Sequence, residues 1–376
     1  MYRDTYALID TKKITENVKY ITSTYNKFKY FFGVVKYNAY NHGNNIINAL
    51  IKGGVNYLAV ATLDEALEIR KDYSKIPILV LEPIDLDYID KAIYYDITIT
   101  VENLKYLKEL VKYPLDKRLA VHFKVDSGMN RLGFETTDDF TDAYSIIANS
   151  EYLYLEGVYT HFATSGINDR YYDYQVSKFE EITKNVNLSV IKIVHADRSI
   201  TLANKKKLDI CNGCRFGMLI YGVSGRKIVL SWKSKIKNII KKILGRTTNY
   251  PNILPLEPAF ELYSKVISVK KAKAKECVGY GSYWLESDSR IATIAIGYAD
   301  GVDKSFKCVY IGGKKYPIVA DTMDMIMVLV DNKVNIGDKV EIIGKNITLL
   351  DACDNTGLNA YHLFAKISSR VPRKYK

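Results

Sequence analysis

The chain has 376 residues, 48% hydrophobic and 26% charged, the balance of an ordinary globular protein long enough for two buried cores. Its net charge of +12 comes from lysines scattered along the whole length and not gathered into one stripe, so no nucleic-acid partner is expected. No apolar run is long enough to cross a bilayer, and Met1-Tyr2-Arg3-Asp4 opens no signal-peptide core, so the expected location is the cytoplasm.

In chain order, Tyr6–Ile9 reads as a strand and Lys12–Tyr25 as a helix. Residues 1–10 are expected to pair with a later β domain. Strand-like apolar runs follow at Phe31–Lys36, Tyr57–Ala61, Ile76–Leu81, Ile97–Val101, Ala120–Asp126, Leu155–His161, Ile191–His195 and Ile210–Arg215. Amphipathic segments separate most of them, among them Leu63–Tyr73, Glu102–Lys112, Thr137–Ala148 and Tyr172–Asn185. Eight strand-plus-crossover units predict a (β/α)8 TIM-type barrel over residues 11–225. An open doubly wound sheet is disfavoured, because no G-x-G-x-x-G turn follows an early strand.

Residues 226–255 form a basic insert or linker. Within it, 232–246 carries apolar residues at helical spacing among lysines, a pattern that can lie on an anionic membrane surface but more commonly packs on the protein itself. From residue 256 to 376 the rhythm changes to short strands at Phe260–Val269, Arg290–Ile296, Lys307–Ile311, Met325–Val330 and Lys339–Ile343, with turns such as Asn335-Ile336-Gly337-Asp338. That predicts a C-terminal, mostly-β domain. The five cysteines suit a reducing compartment. Cys211-Asn212-Gly213-Cys214 has C-x-x-C spacing, but no second pair completes a metal site, and none is expected.

In a parallel barrel, reactive groups sit at the C-terminal ends of strands. Those ends supply Lys36, Lys124, Asp126, His161, His195 and Arg215. A lysine at the mouth of a buried strand can be desolvated into a nucleophile that forms a Schiff base with an aldehyde cofactor, although strand-end lysines commonly reach into water. The backbone N–H groups of Gly217 and Met218 and the hydroxyl of Ser199 suit a phosphate. A phosphate-bearing aldehyde held by a lysine is pyridoxal 5'-phosphate.

Val34-Val35-Lys36-Tyr37-Asn38-Ala39-Tyr40-Asn41-His42-Gly43 resembles the cofactor-lysine signature of bacterial alanine racemases. Lys124-Val125-Asp126-Ser127-Gly128-Met129-Asn130-Arg131-Leu132-Gly133-Phe134 is similar to a second block of that family. Further blocks are Tyr159-Thr160-His161-Phe162-Ala163-Thr164, Arg215-Phe216-Gly217, Gly279-Tyr280-Gly281, Gly297-Tyr298-Ala299-Asp300-Gly301, Met323-Asp324 and Arg370-Val371-Pro372-Arg373. They occur in family order and span nearly the whole chain.

The resemblance implies a racemase that moves the α-proton with two opposed groups. Lys36 would hold the cofactor and act on one face, and Tyr280 on the other. His161 and Arg215 would be the cationic neighbours that a tyrosine, with its ordinary pKa of about 10, needs to serve as a base. Arg215 would face the cofactor's ring nitrogen, and Arg131 its phenolic oxygen and the substrate carboxylate. Lys124 stands where many relatives carry a carbamylated lysine that positions this arginine. Tyr40, Ser199, Gly217 and Met218 would hold the phosphate, while Tyr298, Met323 and Asp324 shape substrate access. Tyr280 and Met323 would act across a homodimer interface, and the product would feed peptidoglycan.

Two positions depart from the family pattern. Arg198 replaces a usual asparagine, and Ser369 replaces a phosphate-binding tyrosine. The smaller Ser369 opens space for serine, as in the related serine/alanine racemases of vancomycin resistance, so a serine or broad-specificity racemase is the alternative. A barrel-type decarboxylase is disfavoured by the Tyr280 block and Arg215. A single-barrel cofactor-binding protein would lack residues 256–376.

Overall fold

A computed structural model describes residues 3–164, 170–224, 236, 239, 240, 252–281 and 283–376. The chain divides into two units, one comprising Thr15–Ala39 and Ile47–Leu256, the other Met1–Ile14, Tyr40–Ile46 and Glu257–Lys376. Counting from an N-terminal strand β1 (Tyr6–Ile9), the first unit holds β2 (Tyr30–Val34), β3 (Tyr57–Val60), β4 (Ile78–Val80), β5 (Ile99–Val101), β6 (Leu119–Val125), β7 (Leu153–Thr160), β8 (Ile193–His195) and β9 (Gly213–Phe216).

All eight lie in one parallel sheet of order β4-β3-β2-β9-β8-β7-β6-β5. A parallel bridge from Leu79 to Thr98 joins the two ends, with Val80 N–H donating to Thr98 O and Thr98 N–H to Ile78 O, both at 2.9 Å. The sheet is therefore a closed barrel, and the expected fold class is the observed one. Every residue of β3, β4, β5, β6 and β9 is buried, as strands covered by helices on one face and packed inward on the other must be.

Every barrel strand differs from the sequence expectation by one to three residues at one end or both, and two of these shifts have a visible cause. β2 stops at Val34, and the apolar run outlasts it because Val35 is buried in the turn that follows, donating to Ala59 O at 2.9 Å. β9 starts at Gly213 because Ile210 and Cys211 belong to a turn closed by Cys211 N–H on Leu208 O at 2.9 Å. The basic segment 232–246, apart from Ile236, Ile239 and Ile240, lies outside the described residues. No helix among the described residues is long and apolar enough to cross a membrane.

The second unit is mostly β. Its strands are β10 (Phe260–Ala272), β11 (Cys277–Val278), β12 (Tyr283–Trp284), β13 (Ser289–Ile294), β14 (Cys308–Ile311), β15 (Lys314–Asp321), β16 (Ile326–Val330), β17 (Lys339–Ile343) and β18 (Arg373–Tyr375). The long β10 shifts register between Val266 and Ser268, pairing with β17 on one side and β13 on the other, and so closes the sheet on itself. β1 runs antiparallel to β10 and parallel to β18. β15 was not expected, since it opens on Lys314-Lys315 and contains Pro317, residues that read as turn or edge. Nor were the helices Leu349–Thr356 and Ala360–Lys366, capped by Thr348 and Asn359.

The most demanding polar contact of this unit is Asp300, fully buried and gripped by Arg3 at 2.6 and 2.7 Å. Removing one partner of a buried pair strands the other's charge. Arg370, 3.6 Å from the same carboxylate, is too distant to replace both bonds. Arg3→Ala is expected to cost about 2 kcal/mol in urea unfolding; a change below about 0.5 kcal/mol would show that Arg370 takes over.

Candidate active site

The turn after β2 carries the longest run of positive-φ residues among the described residues. Lys36–Asn41 makes one helical turn, and Tyr37, Asn38, Ala39, Tyr40 and Asn41 all have φ between +48 and +66°. The turn is left-handed, which costs an L-residue about 1–2 kcal/mol each. Strain of that kind persists only where neighbours over-determine it. Glu65 is one such neighbour, its carboxylate accepting Tyr37 N–H at 2.5 Å and Ala61 N–H at 2.8 Å. Ala39 N–H returns to Val35 O at 2.8 Å. Lys36 sits at the head of the turn, half-buried, and makes no hydrogen bond or ion pair among the described residues. Sequence reasoning missed Glu65, although Thr62-Leu63-Asp64-Glu65 has the spacing of a helix-capping pair.

Arg215, on β9, is buried in the barrel. Its Nη1 donates to His195 Nδ1 at 2.5 Å and His195 O at 3.0 Å, and its Nη2 to Thr160 O at 2.6 Å and Ala196 O at 3.1 Å. Among the described residues these bonds use only the two Nη groups, which leaves Nε–H to a bound molecule. Burial lowers the guanidinium to about 10, so it stays charged at neutral pH.

The surrounding groups respond to that charge. Burial, then Arg215, Arg198 and Arg131, hold His161 well below the ordinary histidine range, so it is neutral. Lys124 is brought down to about 8 by burial, with Arg131 and Arg215 adding to the effect. His195, read from sequence as a mouth residue, is instead wholly interior, because its ring is clamped between Phe32 and Tyr159, at 4.5 and 4.8 Å.

Asp126 organises the loop after β6. It accepts the N–H groups of Gly128 (2.8 Å), Asn130 (3.0 Å) and Arg131 (2.7 Å). Burial opposes its ionisation, but these bonds outweigh it and hold the carboxyl below its usual range. Gly133 closes the loop at φ +133°, where a Cβ would lie 2.4 Å from Asp126 N. Arg131 is exposed on this loop.

Ser199 and Gly217 meet beyond the ends of β8 and β9, Gly217 N–H donating to Ser199 Oγ at 3.0 Å. The expected free Gly217 N–H is thus occupied, and the Ser199 hydroxyl proton becomes the group to offer an anion. The segment after Gly217 is a turn and starts no helix, with Met218 buried in it. Arg198 ties down the loop after His161, donating to Phe162 O (3.0 Å), Ala163 O (3.2 Å) and Thr164 O (3.0 Å). A lysine amine, an arginine Nε–H and a serine hydroxyl, with a neutral imidazole beside them, fit the aldehyde, ring nitrogen and phosphate of a pyridoxal cofactor. Cys211 and Cys214 are buried and free. Burial pushes Cys211 up to about 12 and raises Cys214 well above the ordinary thiol range, which removes thiolate chemistry.

In the second unit, Tyr280 tips the β11–β12 hairpin between Gly279 and Gly281, at φ +70 and +74°, and is 86% exposed. Tyr298 and Met323 lie on adjoining loops, Tyr298 N–H donating to Thr322 O (3.1 Å) and Ala299 N–H to Met323 O (3.0 Å). Asp324 accepts from Arg370 Nη2 at 2.7 Å. Ser369 is exposed in the turn before Arg370. The ring of Tyr361 lies 5.7 Å from that of Tyr40. Nothing in the sequence singled out Tyr361 among 31 tyrosines.

Two family profiles match the chain: the alanine racemase N-terminal domain over residues 9–225 and the alanine racemase C-terminal domain over 259–375. Alanine racemase 1 of Bacillus subtilis is 33% identical, covering 100% of this chain and 93% of the relative. The crystal structure of an Enterococcus faecalis alanine racemase (E. faecalis) superposes with a TM-score of 0.88 at 31% identity, over 100% of this chain and 99% of that one. A histidine racemase from Leuconostoc mesenteroides is also similar, with a TM-score of 0.86, 27% identity and coverage of 100% and 98%.

The Asp126 geometry has a pH signature. A carboxyl held below its unfolded value, about 3.9, contributes stability that is complete above that pH and is lost as pH falls through the folded value. Asp126→Asn is therefore expected to lower Tm at pH 7, with the gap from wild type narrowing as pH falls below the ordinary carboxylate range. A gap that stays constant as pH falls would mean that the charge is not its source.

Proposed function

Because the chain belongs to the alanine racemase family, we propose that it is a pyridoxal 5'-phosphate-dependent alanine racemase, an isomerase that interconverts L- and D-alanine. It works as a homodimer in the cytoplasm, where five free thiols are at home, and supplies D-alanine for peptidoglycan of the cell wall. Arg215 is the observation that carries the reading. A buried guanidinium that keeps its proton suits a reaction in which the ring nitrogen is not protonated.

The cofactor, when bound, withdraws electrons from the amino acid's Cα and makes its proton removable. Lys36 takes or returns that proton on one face, and Tyr280 of the partner subunit does so on the other. Arg215 offers Nε–H to the ring nitrogen without releasing a proton. The uncharged His161 would add no second cation beside the ring. Arg131, held by the Asp126 loop, takes the phenolic oxygen and the substrate carboxylate. Tyr40, the Ser199 hydroxyl and Met218 would hold the phosphate, Gly217 acting through its N–H bond to Ser199 Oγ, and Arg198 steadies the loop after His161. Tyr298, Asp324 and the partner's Met323 shape the approach of substrate.

A dimer is supported by the exposure of Tyr280, Trp284 (64%), Met323 (53%) and Tyr298 (49%) on the second unit, more large apolar surface than a lone domain usually leaves wet. Lys124, near 8, has enough free amine at neutral pH to add CO2, and the resulting carbamate would place an anion beside Arg131. Intact mass at neutral pH should then show a gain of one CO2 that acid removes; an unmodified mass would leave Lys124 a plain amine.

Serine, suggested as an alternative by Ser369, is not favoured, since full-length relatives at 31–33% identity are alanine racemases. The kcat/KM for L-alanine should exceed that for L-serine, and Ser369→Tyr should cost serine more than alanine; the reverse preference would make it a serine racemase. Lys36→Ala should lose the visible absorbance of bound cofactor. Tyr280→Phe should lower racemisation at least about 100-fold in both directions, and full activity in that variant would exclude the two-group scheme.

A further inference from the structure

A line of hydrogen bonds runs from Arg215 through the barrel core and ends on a carboxylate that no role above uses. His195 Nε2 lies 3.0 Å from His122 Nδ1, and His122 Nε2 lies 3.3 Å from Glu156 Oε2. Arg215, His195, His122 and Glu156 are all buried. The same carboxylate accepts the Tyr57 hydroxyl at 2.7 Å and Lys192 Nζ at 2.7 Å.

The two ends dictate the direction of every proton between them. A guanidinium only donates and an ionised carboxylate only accepts. His195 must therefore receive Arg215 on a bare Nδ1, carry its proton on Nε2 and pass it to a bare Nδ1 of His122. His122 must then carry its own proton on Nε2, facing Glu156. An imidazolium at either position would set two N–H groups against each other. Burial drives both rings towards the neutral form. Glu156 stays ionised because, although burial opposes it, bonds from His122, Lys192 and Tyr57 hold it at about 2.

The barrel is shaped around this line. Opposite His122 on β7 stands Gly157, where a Cβ would come within 2.5 to 2.8 Å of three atoms of the His122 ring. The β6–β7 ladder slips register between Val121 and His122, at the same place. Phe32 and Tyr159 lie nearly parallel to the His195 ring, at 12° and 16°, so it cannot turn. Apolar side chains would fill this space with less polar burial, so the arrangement calls for a reason at its open end.

We propose that His122 and Glu156 are positioning residues for racemisation: by fixing the tautomer of His195, they hold the Arg215 guanidinium in one orientation with Nε–H turned to the cofactor. The proposal rests on the function given above for Arg215. Without the carboxylate, His122 can reverse its tautomer, His195 then carries a proton on Nδ1 part of the time, and that proton repels Arg215.

Ring-nitrogen NMR of 15N-histidine-labelled full-length protein, with and without pyridoxal phosphate, tests the wiring without turnover. Both core histidines should be neutral, with bare Nδ1 and protonated Nε2, from about pH 6 to pH 9. In Glu156→Gln, His195 should show mixed tautomers and kcat should fall about tenfold, with KM changed by less than about threefold. A wild-type His195 that carries its proton on Nδ1 overturns the proposal. So does a variant that scrambles the tautomers but keeps wild-type kcat. A chain that failed to racemise any amino acid would refute the proposed function, while the tautomer reading of the wild-type protein would still decide the wiring.

Discussion

A guanidinium buried in a parallel barrel needs an acceptor for nearly every N–H, and much of the barrel's chemistry follows from that need. Arg215 finds them in three main-chain carbonyls, those of Thr160, His195 and Ala196, and in one imidazole nitrogen. The carbonyls come from the ends of β7 and β8 and the residue just after β8, so the charge is tolerated only because these strands lie in sequence alongside β9 in the sheet. An ionised group left unpaired in such a place would cost several kcal/mol. The same cation, with burial, keeps His161 neutral and draws Lys124 down. Burial first, and this cation together with Arg131 and Arg198, thus set the protonation of its neighbours.

The second constraint is conformational. The left-handed turn that begins at Lys36 stores strain where the chain leaves β2, and Glu65 holds it by binding two main-chain N–H groups. Asn tolerates this backbone better than most residues, yet Tyr37, Ala39 and Tyr40 are forced into it as well. A turn of that hand carries the side chains after Lys36 in directions that a right-handed helix would not. The second unit meets a similar demand with charge: Arg3 and Arg370 both reach the buried Asp300, and the loops of Tyr298 and Met323 are hydrogen-bonded to each other beside it.

Much of the fold was legible in one dimension. Strand-length apolar runs alternating with amphipathic segments foretold the eight parallel strands, and Thr137–Ala148 and Lys339–Ile343 appear with the bounds read from sequence. β15 was not legible, because its lysines and proline read as a turn. The residues proposed for the site were legible as strand ends and as family blocks. His195 shows the limit of that reading: a histidine closing a strand can point to solvent or into the barrel, and only packing against Phe32 and Tyr159 turns it inward.

What the sequence determined by itself is the order of the elements and the identity of the ionisable groups at their ends, since periodicity and residue type are local properties. Tertiary structure alone decided which of those groups share a hydrogen bond. Arg215, His195, His122 and Glu156 lie on four strands, and Glu156 is 59 positions from Arg215. No spacing rule connects them, because their contact is created by the pairing of four neighbouring barrel strands. The handedness of the Lys36 turn was likewise beyond local reading: five non-glycine residues with positive φ defy their own propensity, and only neighbours brought in by the fold can hold them there.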